Sequence, residues 1–569
     1  MPSTRTGIRI PATRVWVIFL AGFFGAFLLY PVGFVLREAF LADGRFTLRY
    51  FSQILSSPIL VRSILNSLVL AALTTVLTTL LSLPLAHGMT RYSFRGRSLL
   101  SGLLLVPMIM PPFVGAIGLR QLFARFGSIN LLLMKLGIIE PSHPIDWLGS
   151  GGFAGMVMLQ VFSLYPVMLL NLSAAMANVD PAMREAAQNL GAGPWRLFRT
   201  VTLPLILPGW FAGAIIVFIW AFTDLGTPLI FGFSQVVPIQ IYDSITELNT
   251  NPLGYALVVL VVLLTLVLFA LSKRAMAGRS HAMMARGHTS GATLKATTRQ
   301  SFLLWLGAGL VVLIGVLPHL AVVLQSVGSG WFFTILPAGF TTANYAELLA
   351  RDAIAGSIRN SLLYSSLSAG LDLVLGVAIA WLLTRRRLPF AGVLDALAML
   401  PLALPGLVIA FGYVAAFDFK IAWLNPRENP TILLVISYAV RRLPYIVRAA
   451  IAGFQQTSVI FEEASSSLGA SPFCTLRRIT LPLVFANLVA GTLLTFSLAM
   501  LEVSDGLILA MKENFYPITK MIWLLMGRIE PDAAAVACAL GVVGMLLLAV
   551  SLVAAGRLLG RSLGQLFRS

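Results

Sequence analysis

Twelve apolar runs dominate this chain and leave few folds open to it. They fall at roughly 14–36, 63–89, 98–119, 153–177, 204–224 and 252–272, then at roughly 302–325, 357–384, 392–416, 430–453, 482–503 and 533–557. Each holds about 20 residues or more, enough to cross about 30 Å of hydrocarbon at a helical rise of 1.5 Å per residue. The composition agrees: 58% of the 569 residues are hydrophobic and 11% charged, where a soluble chain is nearer half apolar and a quarter charged. The expected fold class is therefore all-α, a polytopic membrane protein of about 12 transmembrane helices. A further stretch, 121–139, is interrupted by Arg125, Gly127 and Lys135 and reads as an interfacial helix or external loop. The first run is longer than a signal-peptide core and no small-residue cleavage site follows it, so it is expected to stay attached as a span.

The runs form two related sets of six. SILNSL at 63–68 returns as SIRNSL at 357–362, and VPMIMP at 106–111 as LPLALP at 400–405, both 294 positions later. Further on the offset falls to 278: LGAGP at 190–194 matches LGASP at 468–472, and TLPL at 202–205 matches TLPL at 480–483. Six helices return the chain to its starting side, so the copies are parallel, with a pseudo-two-fold axis expected along the membrane normal. The domains expected are a first repeat at 1–272, a basic Gly/Ser/Thr-rich linker at 273–300 and a second repeat at 301–569.

Net charge is +18, but the basic residues sit in short segments between runs, with no aromatic-basic platform for nucleic acid. With a cytoplasmic N-terminus, the inner segments hold more than half of the Lys and Arg and few of the Asp and Glu, as the positive-inside rule requires. Cys474 and Cys538 lie in unlike settings, which argues against a disulfide, and the five histidines lack metal-ligand spacing.

The conserved spacing within the repeat falls in two inner segments. EAAQNLGAGPWRLFRTVTLPL begins at Glu185, and EASSSLGASPFCTLRRITLPL at Glu463. In each, good helix formers run to a Gly/Pro break, a second short helix follows, and Leu-Pro opens the next apolar run. These elbows span about 181–201 and 459–479. A short loop would explain one copy; two copies at unchanged spacing, where other loops have drifted, point to a docking element.

The pattern E-A-A, three residues, G, nine more and then I/V-x-L-P is similar to the cytoplasmic signature of permease subunits of binding-protein-dependent ABC importers. It is carried by Glu185, Ala186, Gly191, Leu203 and Pro204, and by Glu463, Ala464, Gly469, Leu481 and Pro482, with EAS for EAA in the second copy. The resemblance implies a type I importer transmembrane domain whose elbows are coupling helices seated in two copies of an ABC ATPase. It further implies an inner-membrane location and a periplasmic or lipid-anchored solute-binding protein. The fusion of two permease domains looks like the subgroup handling ferric iron, 2-aminoethylphosphonate, sugar phosphates or thiamine. No G-x-x-x-x-G-K-[ST] occurs, so ATP and Mg are expected on the partner subunit, with no cofactor, metal or bond chemistry in this chain.

Ionisable residues inside the runs are functional candidates. Arg441 and Arg442 lie about 15 Å into their span, with Asp372 at similar depth as the expected counter-charge; Ser163 and Leu164 stand there in the first half. Two readings stay open: an ion pair that holds helices together, or a cationic wall for an anionic solute. Asp224 and Glu502 each follow a Leu-Pro proline by 20 residues, which puts them, with Asp505, at the outer mouth as gate or receptor dock, or as ordinary interfacial carboxylates. The rival class is an ion- or proton-coupled secondary transporter, disfavoured by the paired elbows.

Overall fold

A computed structural model describes residues 12–42, 44–109, 111–248, 251–277, 294–418 and 420–559. The first half runs through α1 (Thr13–Phe40), α2 (Pro58–Arg91), α3 (Arg97–Met108), α4 (Pro112–Lys135) and α5 (Phe153–Ala177). It continues with α6 (Pro181–Asn189), α7 (Pro194–Thr223), α8 (Gly226–Phe231), α9 (Val237–Ser244) and α10 (Leu253–Ala277). The second half repeats the order ten labels later. It comprises α11 (Thr298–Ser326), α12 (Asp352–Arg385), α13 (Ala391–Leu402), α14 (Gly406–Phe417) and α15 (Thr431–Gln456). Then follow α16 (Ile460–Ser467), α17 (Pro472–Met500), α18 (Ser504–Leu509), α19 (Ile518–Met526) and α20 (Ala533–Leu559). The chain is all-α and polytopic.

Among the described residues, nine helices are long and apolar enough to cross a membrane, and up to 11 if each of two bent pairs counts as one span. The remaining run, 430–453, is α15, whose three arginines lower its apolar character. The bent pairs correct the expectation of straight spans at 98–119 and 392–416. The limbs meet at 88° in α3–α4 and at 100° in α13–α14. Proline explains both bends: Pro111 and Pro405 adopt extended backbone (ψ 123° and 145°) just before the second limb, and with no N–H neither can extend the hydrogen-bond ladder of the first. The stretch 121–139 contains a break after Phe123 and a short helix, Ser128–Lys135. Buried Asn130 pins that region by donating to the Arg125 and Ile145 carbonyls (3.0 and 2.8 Å) and accepting from Trp147 Nε1 (2.8 Å).

Each half builds the same bundle, α2 against α5 and α7, and α12 against α15 and α17. The repeated Asn-Ser of the 63–68 and 357–362 motifs is a clasp. The Val237 amide donates to Ser67 Oγ (2.9 Å) and the Ile518 amide to Ser361 Oγ (2.8 Å). Asn66 and Asn360 donate to the carbonyls of Gln235 (2.9 Å) and Asn514 (2.8 Å) just upstream. These bonds satisfy buried backbone groups at the foot of α9 and α19.

The halves interlock by exchanging first helices: α1 packs on α14, and α11 on α4. Gly118 and Gly412, 294 positions apart, permit the contacts. A Cβ at Gly118 would strike the Pro318 carbonyl, and one at Gly412 would sit 3.2 Å from Pro31. Without a strong hydrophobic drive between helices in lipid, such close approach is what small residues provide. Tyr413 adds a hydrogen bond from its hydroxyl to the Phe27 carbonyl (2.7 Å). Most of the linker at 273–300 lies outside the described residues; at its end, Leu294–Lys295 pair with Tyr92–Ser93 and α11 begins at Thr298.

Candidate functional site

The two elbows are built alike. Asp180 caps α6 by accepting from the Ala182 amide (2.9 Å), and Pro181 opens its first turn. The helices α6 and α16 end at Gly191 and Gly469, whose φ of 78° and 81° lie in the left-handed region, where a side chain is costly. Pro194 and Pro472 then open α7 and α17. Each of these carries a π-turn, Phe198–Thr202 and Leu476–Thr480, just before Leu203-Pro204 and Leu481-Pro482. The ring of Pro204 or Pro482 cannot donate an amide, so the ladder widens there.

Glu185, Ala186, Glu463 and Ala464 are exposed. Apolar side chains flank them at matched places: Leu190 and Leu468 are 88% and 89% exposed, Trp195 and Phe473 73% and 71%.

The elbows differ in how they are anchored. In the second half Arg385 pairs with Glu462 (2.9 Å) and donates to the carbonyls of Phe454 (2.9 Å) and Thr457 (3.0 Å). In the first half the equivalent positions hold Arg91 and Arg184. Arg184 Nε is buried without a hydrogen-bond partner, and burial, then the charge of Arg91, hold this guanidinium below the ordinary arginine value. Like charges stand where the second half has a salt bridge.

Deeper in the bundle, the arginines of α15 meet carboxylates of the α17–α18 corner. Arg441 contacts both Glu502 and Asp505, the latter at 3.5 Å, and Arg442 shares Glu502 while donating to the Leu498 carbonyl (3.1 Å). Ser437 donates to Asp505 (2.8 Å), and Thr519 of α19 donates to the Glu502 carbonyl (3.0 Å). Gly406 leaves room for the cluster, since a Cβ there would strike the Arg441 guanidinium. The cluster thus touches the bend of α13–α14, the broken end of α17 and the clasped helix α19.

This geometry corrects two expectations. Asp372, expected as the counter-charge of Arg441 and Arg442, makes no salt bridge to either among the described residues: it is fully buried, and both its carboxylate oxygens lack hydrogen-bond partners, as do the hydroxyls of Ser365 and Ser368 on the same face. Glu502 and Asp505, expected with Asp224 at the outer mouth and so at a different depth from the arginines, lie against Arg441 and Arg442. α17 ends at Met500 and a short break leads to α18, and both carboxylates contact the eleventh and twelfth residues of α15. Arg448 belongs elsewhere, facing Asp395 at 3.5 Å.

In the first half Asp224 occupies the corresponding corner and, among the described residues, makes no salt bridge to a cation. It accepts from Gln160 Nε2 (3.2 Å) and from the amides of Gly226 (3.1 Å) and Thr227 (3.4 Å), capping α8. A search confined to ionisable residues misses Gln160; an amide inside an apolar run was the available signal.

A duplicated, interlocked helical membrane domain with two sharply bent helix pairs and twin exposed elbows defines a transport permease. Residues 78–277 and again 372–565 match the family described as "Binding-protein-dependent transport system inner membrane component", and the chain belongs to that family, as a fused two-domain member. It is 27% identical over 489 residues to the ferric transport system permease protein FbpB of Actinobacillus pleuropneumoniae, covering 84% of this chain and 69% of that one. Over 210 residues it is 30% identical to the molybdenum transport system permease protein ModB of Haemophilus influenzae, covering 35% of this chain and 87% of that one.

Proposed function

We propose that this permease works in an ATP-driven importer whose energy comes from two copies of a separate ABC ATPase seated on the elbows. The observation that carries this reading is the matched exposure of Leu190, Trp195, Leu468 and Phe473 around Glu185 and Glu463. ATP and Mg would sit on the partner, and this chain would carry out no bond chemistry. A periplasmic or lipid-anchored binding protein would deliver the solute to the opposite face, with the N-terminus cytoplasmic. The repeats at 1–272 and 301–569, joined by 273–300, would rock about their interlocked helices as the ATPases close.

The solute we propose is ferric iron or a small anion such as a phosphonate or sugar phosphate. Kinship to the ferric permease supports the first, and the α15 arginines support the second. In the conformation described, Glu502 and Asp505 neutralise both guanidiniums. The corner at α17–α18 would therefore act as a gate, and its movement would bare cationic groups to the path.

The test is the double variant E185K/E463K, expressed with the cognate ATPase. Co-purification of the ATPase, or coupling of its hydrolysis to uptake, is expected to be lost while the membrane domain still inserts. Wild-type uptake with normal ATPase retention would remove the docking reading. Uptake by ATPase-free proteoliposomes under an ion gradient would instead favour a secondary transporter.

A further inference from the structure

The outer surface of the second half carries a groove of 880 Å³ between α1, α12 and α17. Its walls include Trp16, Val377, Trp381, Phe473 and Phe485, and Arg477 contributes a charged group to the lining. Val374 and Phe485 along it are exposed; on helices of spanning length such surface faces lipid.

One end of this groove is cationic. Arg477 stands near the end of the second elbow, and Arg386 follows the last residue of α12 with its guanidinium 4.6 Å from the Trp381 ring centroid. Among the described residues, neither Arg477 nor Arg386 takes part in a salt bridge to a carboxylate. Tryptophans with arginines at the end of an apolar groove are the arrangement found at the headgroup level of a bilayer. Basic pockets between helices on the cytoplasmic side select anionic headgroups.

The first half does not repeat the arrangement. His87 and Tyr92 stand where the second half has Trp381 and Arg386, so the tryptophan and the guanidinium over its ring are particular to the second half. That pairing sets the groove apart from generic lipid-facing surface.

We propose that the groove is a binding site for an anionic diacyl phospholipid, its acyl chains against Trp16, Val377 and Phe485 and its phosphate on Arg477 and Arg386. Phe473 and Arg477 belong to the second elbow segment, so the bound lipid braces that elbow against α1. The inference rests on the proposed orientation, with the elbows on the cytoplasmic side, and stands apart from the choice of solute.

The experiment is native mass spectrometry of the full-length protein in detergent, titrated with phosphatidylglycerol or phosphatidylethanolamine of identical acyl chains. Wild type is expected to retain phosphatidylglycerol preferentially. R386Q and R477Q should each reduce that preference about fivefold, with the thermal midpoint in detergent unchanged. V377W, which fills the groove, should reduce phosphatidylglycerol binding with all arginines intact. Equal retention of the two lipids by wild type would overturn the proposal without recourse to any variant. So would a preference that survives both arginine substitutions, displacement by millimolar inorganic phosphate, or stoichiometric capture of a membrane protein on this face.

Discussion

Replacing Glu502 by Gln removes the carboxylate that Arg441 and Arg442 share while keeping the side chain's size. The side chains of the two arginines are only 19% and 13% exposed, and that of Glu502 4%, so solvent offers little compensation. Breaking a buried ion pair by deleting one partner costs about 3–5 kcal/mol. Arg441 keeps Asp505 at 3.5 Å, which leaves Arg442 as the cation without a salt-bridge partner and places the expectation near the lower bound, about 3 kcal/mol. One kcal/mol moves the midpoint about 2–4 °C for a chain of 150–250 residues, and less for a longer one. A fall of about 3–6 °C is therefore expected, read as monodisperse protein remaining after heating in detergent. Adding R442Q to E502Q should recover part of that loss, because neutralising the stranded cation removes its burial penalty. An unchanged midpoint for E502Q, or strictly additive effects in the pair, would refute the shared-carboxylate cluster.

G118A should destabilise strongly and G412A mildly, since the first added methyl meets a backbone carbonyl and the second the side of Pro31; overpacking of this kind costs about 1–3 kcal/mol, and equal midpoints would contradict the exchanged-helix contact. R184E places a carboxylate opposite Arg91, as Glu462 stands opposite Arg385, and should raise the midpoint slightly, by about 1 kcal/mol at most; a fall would mean the first elbow is anchored by other contacts. D372N should leave the midpoint within about 1 °C of wild type, because no hydrogen bond to the carboxylate is lost; small effects are usual where no named interaction is broken. A collapse of folded protein would show that Asp372 holds a partner through Arg442 after all.

Much of this molecule was readable along the chain. The spans follow from run length and the elbows from Gly191, Pro194, Gly469 and Pro472, because helix formation and helix breaking are decided within a few residues of backbone hydrogen bonding. The duplication followed from spacing alone, and its Asn-Ser motif proved to be a clasp on α9 and α19.

The partners of the buried charges were not readable in that way. Depth counted along straight helices paired Arg441 and Arg442 with Asp372. A break at the end of α17 turned Glu502 and Asp505 inward instead, and the bend of α13–α14 opened space beside Gly406. The exchange of α1 and α11, and the groove that α1 completes, likewise depend on two glycines permitting contact across hundreds of residues. Hydropathy and local hydrogen bonding wrote the helices and their punctuation into the sequence. Which charges meet was decided only when bent helices packed, because small changes of backbone direction carry side chains past one counter-ion and onto another.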